Sequence, residues 1–437
     1  MSKKPAKNTA SSRKSGFFSP FLSATIIYLF SAISVIAACL TVTGVWANDF
    51  SAMPWDQMIP IGIYLVGFPM ILIGLKIVGW RGDAAIIGAV MMLSGMGLVI
   101  QLRMGSFARG LEAPLALLPF PLGLSAFLLA ATLTRKGRGA WTRVLCWVLY
   151  LTALGAMAAM LVLGQRYRGG FYLPGNINPS EIVKPLLVFF LAAYLSRRKN
   201  EFSETTTSGI PMPPITTLLG LTILWSIPML FTVLLHDLGL AGLLSAILMV
   251  MLFAVSKRTG YLAIGLVIVL AGCFGMQLIS ANAQSRFDIW LNPFSDATGK
   301  GWQTLQALSA MYSGGLWGSG LGAGLPNTVP IVSSDFVYAA IAEEMGLVGC
   351  ALLLLVFLIL FSRGFRASAA ARTPYERLLC IGLTASLAVQ TLFNIGGVTK
   401  ALPMTGITLP FVSHGGSSLI TSLFIAGLIC GLSDSEK

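Results

Sequence analysis

Residues that could do acid–base or anion-binding chemistry are scarce in this chain, since only 10% of its 437 residues are charged. Several of them stand at the ends of long apolar segments. Glu181 and Lys184 open one such segment, and because they are three positions apart they would share one helix face. Asp335 precedes another segment, with Glu343 and Glu344 about two turns farther along. Ionisable groups are costly in a membrane and usually serve a function there, so these five residues are the first candidates for a site.

Each candidate also has a purely structural interpretation. A carboxylate in the position of Asp335 can accept a proton from a hydroxyl group, but it would serve equally as the N-cap of the following helix. Glu181 and Lys184 could form a local ion pair, with Ser180 or Asn178 capping their helix. The sequence leaves open whether Lys184 pairs instead with Asp335 across helices, as a resting-state latch. Such a cation would favour the charged carboxylate and make it a weaker base.

Motifs for energy coupling, zinc binding and serine nucleophiles are absent from the sequence. The string Thr298-Gly299-Lys300-Gly301 lacks the hydroxyl residue that completes a phosphate-binding loop. The glycine-rich run from Gly314 to Gly324 does not link a strand to a helix, so close helix packing or loop flexibility explains it better than dinucleotide binding. The two histidines and six cysteines give neither a zinc spacing nor a disulfide framework, and no Gly-x-Ser-x-Gly motif occurs.

The segments that carry the candidates are predicted to be membrane-spanning helices. The chain is 56% hydrophobic with a mean hydropathy of +0.82, so it cannot cover a water-facing surface. A spanning helix needs about 20 mostly apolar residues, and twelve segments supply them. The predicted fold class is therefore an all-α polytopic integral membrane protein with about 12 transmembrane helices. The segments lie near 20–46, 59–79, 84–102, 114–134, 141–163, 181–196, 215–235, 239–255, 260–280, 337–361, 378–396 and 402–432.

The distribution of basic residues predicts the orientation. Lysines and arginines are about three times as numerous on the side of the N-terminus as on the other, which predicts that both termini are cytoplasmic. This pattern, rather than nucleic-acid binding, explains the formal charge of +13. The two long outside loops, 164–180 and 281–336, place the chemistry outside.

The last segment departs from the others. Its apolar stretch is short and follows a run rich in proline and glycine, which predicts a broken helix with a half-helix starting near Ser417. A helix that is merely kinked is the alternative.

Four cations lie outside or near the outer surface in this topology: Arg166, Arg168, Lys184 and Lys400. A lipid pyrophosphate would need such groups, or a metal ion, to stabilise its charge. Each of them alone could equally be an ordinary solvated charge. No cofactor is established by the sequence, and a divalent cation, Mg²⁺ or Mn²⁺, is the one candidate.

Ordered motifs between about residue 160 and residue 432 resemble those of the family of shape, elongation, division and sporulation (SEDS) proteins, to which RodA, FtsW and SpoVE belong. The motifs are Asn178-Pro179-Ser180-Glu181 with Lys184, His236-Asp237-Leu238-Gly239, Asn292-Pro293, Gly301-Trp302-Gln303, Ser313-Gly314-Gly315, Gly318-Ser319-Gly320-Leu321-Gly322, Asp335-Phe336, Glu343-Glu344-Met345-Gly346, Gln390 with Asn394-Ile395-Gly396, Leu402-Pro403, Thr405-Gly406, Leu409-Pro410-Phe411 and Gly415-Gly416-Ser417-Ser418.

The resemblance implies a peptidoglycan glycosyltransferase that polymerises lipid II and works with a class B penicillin-binding protein in the bacterial inner membrane. It implies Asp335 as the catalytic acidic residue. It also implies a cavity in which substrate is bound by Lys184, Glu181, Ser180, Arg166, Arg168, Gln303, Glu343, Glu344, His414, Gly415, Gly416 and Ser417. A lipid II flippase and a non-catalytic division scaffold remain as alternatives.

The chain departs from the family pattern at several positions. Asn178 replaces the usual glutamine, Ser333-Ser334 the usual His-Thr, and His414 the usual aromatic residue. Five spans, rather than the usual three, precede the Pro-Ser-Glu motif. We therefore predict a basic cytoplasmic tail at 1–18, additional N-terminal helices within 19–140 and a catalytic core at 141–437 that contains the outside loop 281–336.

Overall fold

The computed structural model describes residues 20–44, 55–107, 117–136, 143–167, 170–173, 178–203 and 213–434. The helices of these residues, in chain order, are α1 (Pro20–Val42), α2 (Ile59–Val78), α3 (Ala84–Arg103), α4 (Pro119–Lys136), α5 (Arg143–Leu163), α6 (Ser180–Arg197), α7 (Lys199–Ser203), α8 (Ile215–Leu234), α9 (Leu238–Ser256), α10 (Gly260–Ile279), α11 (Ala281–Leu291), α12 (Trp302–Gly314), α13 (Val337–Ala369), α14 (Pro374–Val398) and α15 (Gly416–Leu432). Short 3₁₀ turns lie at Trp55–Met58, Pro293–Asp296 and Pro326–Thr328.

The helices confirm the all-α polytopic class. Within the described residues, eight helices are long and apolar enough to cross a membrane, and parts of α4, α10 and α15 form shorter apolar helices. The remaining predicted span, α6, is 18 residues long and carries Glu181, Lys184 and Arg197. Its burial against other helices explains why a charged helix can stand among apolar ones.

Helices from both halves of the chain pack closely through small residues. A Cβ atom on Gly427 of α15 would lie 2.3 Å from the carbonyl oxygen of Phe127 in α4, and one on Gly431 would lie 2.4 Å from that of Ala131. Such contacts bring two backbones together where lipid provides no hydrophobic driving force. The indole of Trp80 also donates to the carbonyl of Cys430 at 3.0 Å. The boundary predicted at residue 140, between the N-terminal helices and the core, therefore lies between helices that pack together.

The long helix α13 is broken at Gly346, whose φ of 64° is left-handed. The glycine-rich run predicted from the sequence packs into this break. A Cβ atom on Gly314 would lie 2.0 Å from the carbonyl oxygen of Ala342, and one on Gly318 2.2 Å from that of Glu344. The main-chain N–H groups of Leu347 and Val348 donate back to Gly315 and Leu316 at 3.0 and 3.2 Å. Close packing is thus the explanation for these glycines.

The broken last span is also confirmed. Residues 401–415 contain no helix, and α15 begins at Gly416, one residue before the predicted start. Its 17 residues cover only about 25 Å, less than the thickness of the apolar core of a bilayer. We call the preceding non-helical segment 401–415 the re-entrant segment.

A two-stranded antiparallel hairpin occupies the first predicted outside loop, with β1 (Gln165–Tyr167) paired to β2 (Gly170–Tyr172) and Arg166 opposite Phe171.

Candidate active site

Several helix ends converge on one end of the bundle, which we call the site end. The N-termini of α6, α9 and α15 meet there beside the C-terminal half of α14 and the re-entrant segment. A cavity of about 50 Å³ lies between them, lined by Asn178, Ser180, Glu181, Lys184, Asp237, Leu240, Leu243, Gly406 and Ile407. A larger, open cavity of about 410 Å³ lies at the far end of α6, beside Arg198, Glu201 and Pro214. The smaller one is the candidate site because it contains the predicted motifs.

Lys184 is almost completely buried and has two side-chain partners. Its ammonium group donates to the carboxylate of Glu181 one turn away and to Oε1 of Gln390 in α14 at 2.8 Å. Lys184 therefore makes an ion pair with Glu181, and the described residues show no ion pair of Lys184 with Asp335, the alternative considered from the sequence. Because Glu181 already neutralises it, an incoming anion would have to compete for this ammonium group.

Gln390 connects this pair to the start of α15. Its Nε2 donates to the carbonyl oxygen of Thr408 at 3.0 Å, and the hydroxyl groups of Thr408 and Ser418 are 2.7 Å apart. On the other side of the cavity, the main-chain N–H of Asn178 donates to the hydroxyl of Ser417 at 3.4 Å. The Pro-Ser-Glu and Gly-Gly-Ser-Ser motifs are thus brought together.

Asn178 hydrogen-bonds to the first residue of α6, two positions along the chain. Its Oδ1 accepts from the main-chain N–H of Ser180 at 3.1 Å and from the Ser180 hydroxyl at 2.6 Å. Neither residue considered from the sequence occupies the N-cap position, which is that of Pro179, but Asn178 holds Ser180 in the first turn of the helix.

Asp335 lies beside the cavity, at the end of the segment that leads into α13. The N-cap position of α13 is occupied by Phe336, which makes no side-chain cap hydrogen bond. The carbonyl oxygen of Asp335 accepts from Nδ2 of Asn394 at 2.9 Å. Its carboxylate points toward Gly406, since a Cβ atom on Gly406 would lie 3.9 Å from Oδ2.

Arg286 is a cation of the site for which the sequence predicts no role. Its Nη1 donates to the carbonyl oxygens of Met404 and Thr405, at 3.3 and 2.9 Å. Its Nη2 lies 3.9 Å from the same Gly406 Cβ position as the Asp335 carboxylate. The guanidinium group and the Asp335 carboxylate therefore both border Gly406. The sequence carries no signal of this contact, because it depends on how the re-entrant segment folds against α11.

Asp237 is a second residue without a predicted role. Its side chain caps α9 by accepting from the main-chain N–H of Leu240 at 2.9 Å. Desolvation raises its pKa, against the opposing effects of that hydrogen bond and of Arg286. His414, in the re-entrant segment, is exposed, and its main-chain N–H donates to the carbonyl oxygen of Ser333 at 2.7 Å.

Glu343 and Glu344 contact the glycine-rich run. Glu344 accepts from Nε of Arg103 at 2.7 Å and from the main-chain N–H of Gly322 at 3.2 Å. Glu343 accepts from the main-chain N–H of Leu325 at 2.8 Å. These contacts indicate a role in holding the loop before Asp335, while substrate binding by the two residues stays a prediction.

The other predicted binding residues are more scattered. Gln303 lies in the first turn of α12, partly buried, and no hydrogen bond among the described residues joins it to the cavity. Lys400 is partly exposed and donates to the carbonyl oxygen of Leu291 at 3.5 Å. The backbone of Arg166 lies in β1, and Arg168 lies outside the described residues.

Among the described residues, no group of three or more His, Cys, Asp or Glu side chains could hold a metal ion. The divalent cation considered from the sequence stays a prediction.

Residues 83–437 match the family described as cell cycle protein, FtsW/RodA/SpoVE. The chain belongs to this family. It is 31% identical over 425 residues to the peptidoglycan glycosyltransferase RodA of Mycobacterium tuberculosis, covering 94% of this chain and 90% of the relative. It is 33% identical over 295 residues to the stage V sporulation protein E of Bacillus subtilis, covering 66% and 77%.

Solved structures of this family share the fold. A chain from a structure of "polymerization and crosslinking by a peptidoglycan synthase complex" aligns with a TM-score of 0.63 at 25% identity, covering 82% of this chain and 99% of that one. The rod shape determining protein RodA of Thermus thermophilus aligns with a TM-score of 0.56 at 25% identity, covering 82% and 98%. The match to the FtsW/RodA/SpoVE family begins well before residue 160, where the motifs quoted from the sequence begin.

Proposed function

We propose that this FtsW/RodA/SpoVE family member is a peptidoglycan glycosyltransferase that polymerises lipid II, with Asp335 as the general base. The observation that carries the proposal is the position of Asp335. Its carboxylate stands beside a cavity that Lys184 lines, at the end of a segment held by hydrogen bonds on several sides. Base catalysis needs such a fixed carboxylate within reach of a hydroxyl group.

The proposed reaction is an inverting displacement. The hydroxyl oxygen of the acceptor sugar forms the new bond to C1 of the donor sugar and gives its proton to the Asp335 carboxylate. The bond from C1 to the pyrophosphate breaks, and undecaprenyl pyrophosphate leaves with the electron pair. Charge develops on that leaving group, and fixed cations nearby stabilise it.

Arg286 and Lys184 are the cations that we assign to the pyrophosphate, together with Arg166 and Arg168 of the first predicted outside loop. Arg286 is oriented by two main-chain carbonyls and keeps Nη2 on the side of Asp335. Planar guanidinium groups bind phosphate with two parallel hydrogen bonds, so Arg286 would give orientation as well as charge. Pyrophosphate would compete with Glu181 for Lys184.

The orientation and partner belong to the same proposal. The site end faces the outside of the bacterial inner membrane, both termini are cytoplasmic, and a class B penicillin-binding protein crosslinks the product. The excess of lysine and arginine at the other helix ends supports the orientation. The structural match to a synthase complex of polymerization and crosslinking supports a partner that crosslinks.

The test is polymerisation of fluorescent lipid II by the purified full chain in detergent, with and without its transpeptidase. We expect glycan strands from the wild type, and none from Asp335→Ala or Asp335→Asn. The matched control is Asp288→Ala, since Asp288 is an exposed aspartate of α11. Glycan strands made by the Asp335→Asn variant would show that Asp335 is not the general base. If the wild type makes no strands, even with its partner and Mg²⁺ or Mn²⁺, the glycosyltransferase proposal fails.

A further inference from the structure

Three consecutive carbonyl groups just before α13 accept hydrogen bonds from distant parts of the chain. The Ser333 oxygen accepts from Nε2 of Gln101 at 2.9 Å and from the main-chain N–H of His414 at 2.7 Å. The Ser334 oxygen accepts from the Ser413 hydroxyl. The Asp335 oxygen accepts from Nδ2 of Asn394. The segment is therefore held through its main chain.

Two of these donors are carboxamides that bridge the same pair of segments. Nε2 of Gln101, from α3, also donates to the carbonyl oxygen of Val412 at 3.0 Å. Nδ2 of Asn394, from α14, also donates to that of Ile407 at 2.8 Å. Each amide nitrogen thus joins one carbonyl before α13 to one carbonyl of the re-entrant segment. Only 4% of Gln101 and 1% of Asn394 is exposed, so water does not compete for these bonds.

The bridged segments both contain a strained residue. Ile331 has a φ of 56° and Phe411 a φ of 66°, and neither is a residue that favours the left-handed region. A β-branched residue persists there only when its surroundings determine its conformation. The main-chain N–H groups of Ser334 and Asp335 both donate to the Ile331 oxygen, at 3.2 and 3.3 Å, so this strained turn leads directly into Asp335.

We infer that Gln101 and Asn394 are positioning residues, whose two amide bridges fix Asp335 relative to the start of α15. The inference rests on the proposed function. Neither residue lines the cavity, and both act through the main chain of Asp335 and its neighbours. A carboxylate displaced by about 1 Å from its productive position loses on the order of a hundredfold in rate.

The bridge is made by an uncharged side chain at both positions. Among uncharged side chains, only the NH₂ group of a carboxamide supplies two hydrogens to two carbonyl oxygens from one atom. If either carboxamide were reversed, its side-chain oxygen would face two acceptor oxygens. The hydrogen bonds therefore fix the orientation of each carboxamide. Aspartate at 394 would keep the shape but lose both donors, and methionine at 101 would keep the volume but lose both bonds.

The experiment measures turnover at saturating lipid II and KM for Gln101→Met, Asn394→Leu and Asn394→Asp in the full chain. We expect turnover to fall at least tenfold in each variant while KM stays within about threefold of the wild type. Gln101→His keeps an N–H donor and should recover part of the loss. The matched control, Gln277→Met in α10, should keep wild-type turnover, since Gln277 has no hydrogen bond to the site among the described residues.

Two further readouts separate this role from general loss of folding and from failure of the proposed function. Thermal unfolding in detergent gives the folded fraction to which turnover is normalised. Hydrogen exchange of the peptide that contains residues 331–336 should rise in the bridge variants and not in the control, even if no activity can be assayed. The inference is overturned if the variants of an active wild type keep turnover within about threefold, or if exchange of that peptide is unchanged.

Discussion

Two buried cation–carboxylate pairs lie at the site end, and they differ in what surrounds them. Lys184 and Glu181 have side-chain exposures of 4% and 13% and line the cavity. Arg103 and Glu344 have exposures of 20% and 1% and contact the glycine-rich run, where Arg103 also donates to the Gly324 oxygen at 2.6 Å. The second pair is bound on both sides by loop backbone.

This difference in surroundings distinguishes two roles that a buried ion pair can have. A buried pair whose partners are all protein groups stabilises a conformation, and losing one member leaves an uncompensated charge. A buried pair with one face toward a cavity can exchange its partner for a ligand. The family match alone does not distinguish them, because both carboxylates belong to motifs of the resemblance.

The largest effect should come from breaking the pair without a cavity. We expect Arg103→Met to lower the free energy of unfolding by about 3–5 kcal/mol, because it leaves the Glu344 carboxylate buried and unpaired. The double variant Arg103→Met with Glu344→Met should recover much of that loss. Thermal unfolding in detergent measures both. An unchanged midpoint for the single variant would contradict the structural role.

Removing the pair at the cavity should instead affect the reaction. For the double variant Lys184→Met with Glu181→Met, we expect lipid II polymerisation to fall about a hundredfold, because a group that stabilises developing charge is lost. Its unfolding midpoint should stay close to that of the wild type, since no lone charge remains. Polymerisation near the wild-type rate would show that this pair, too, is structural.

A smaller effect should come from the loop that the Arg103–Glu344 pair holds. Gly318→Ala adds a Cβ atom 2.2 Å from the Glu344 oxygen at a φ of 82°, and we expect a loss of about 1–3 kcal/mol. Gly105→Ala is the control, because Gly105 has a φ of 63° with nothing within 4 Å of its Cβ position. The difference between the variants in thermal unfolding isolates packing from backbone strain. Equal losses of stability would mean that the loop moves to accommodate the added Cβ atom.

The smallest effect concerns Asp237 and depends on pH. Because burial raises its folded-state pKa, its charged form costs stability, and that cost grows as pH rises from the unfolded-state pKa through the folded-state pKa. Asparagine caps helices as well as aspartate does. We therefore expect Asp237→Asn to raise the unfolding midpoint at pH 7 and to leave it unchanged near pH 3. A lower midpoint at pH 7 would mean that attraction to Arg286 outweighs desolvation.

The fold was predictable from the sequence to a large extent, because apolar length and basic flanks are local properties. The broken last span followed from its prolines and glycines, and α15 begins within one residue of the predicted position. The convergence of Glu181 and Lys184 with the Gly-Gly-Ser-Ser motif was also anticipated, through the resemblance.

The partners of the charged groups were not predictable in the same way. Whether Lys184 faces Glu181 or Asp335 depends on helix packing, and Arg286 reaches the site only because the re-entrant segment presents the Met404 and Thr405 carbonyls to it. Gln101 and Asn394 carry a weak sequence signal, as carboxamides within apolar helices. Their targets are main-chain oxygens, which every residue has and no motif specifies.

The use of main-chain oxygens as hydrogen-bond acceptors bears on how this chain differs from its relatives. The family's usual His-Thr before the key aspartate is Ser333-Ser334 here, directly within the segment that orients the proposed base. The hydrogen bonds from Gln101, Ser413 and Asn394 engage carbonyl oxygens at 333, 334 and 335, so they do not depend on which side chains stand at the first two positions. Substitutions there can change side-chain contacts while these main-chain hydrogen bonds keep the aspartate in place.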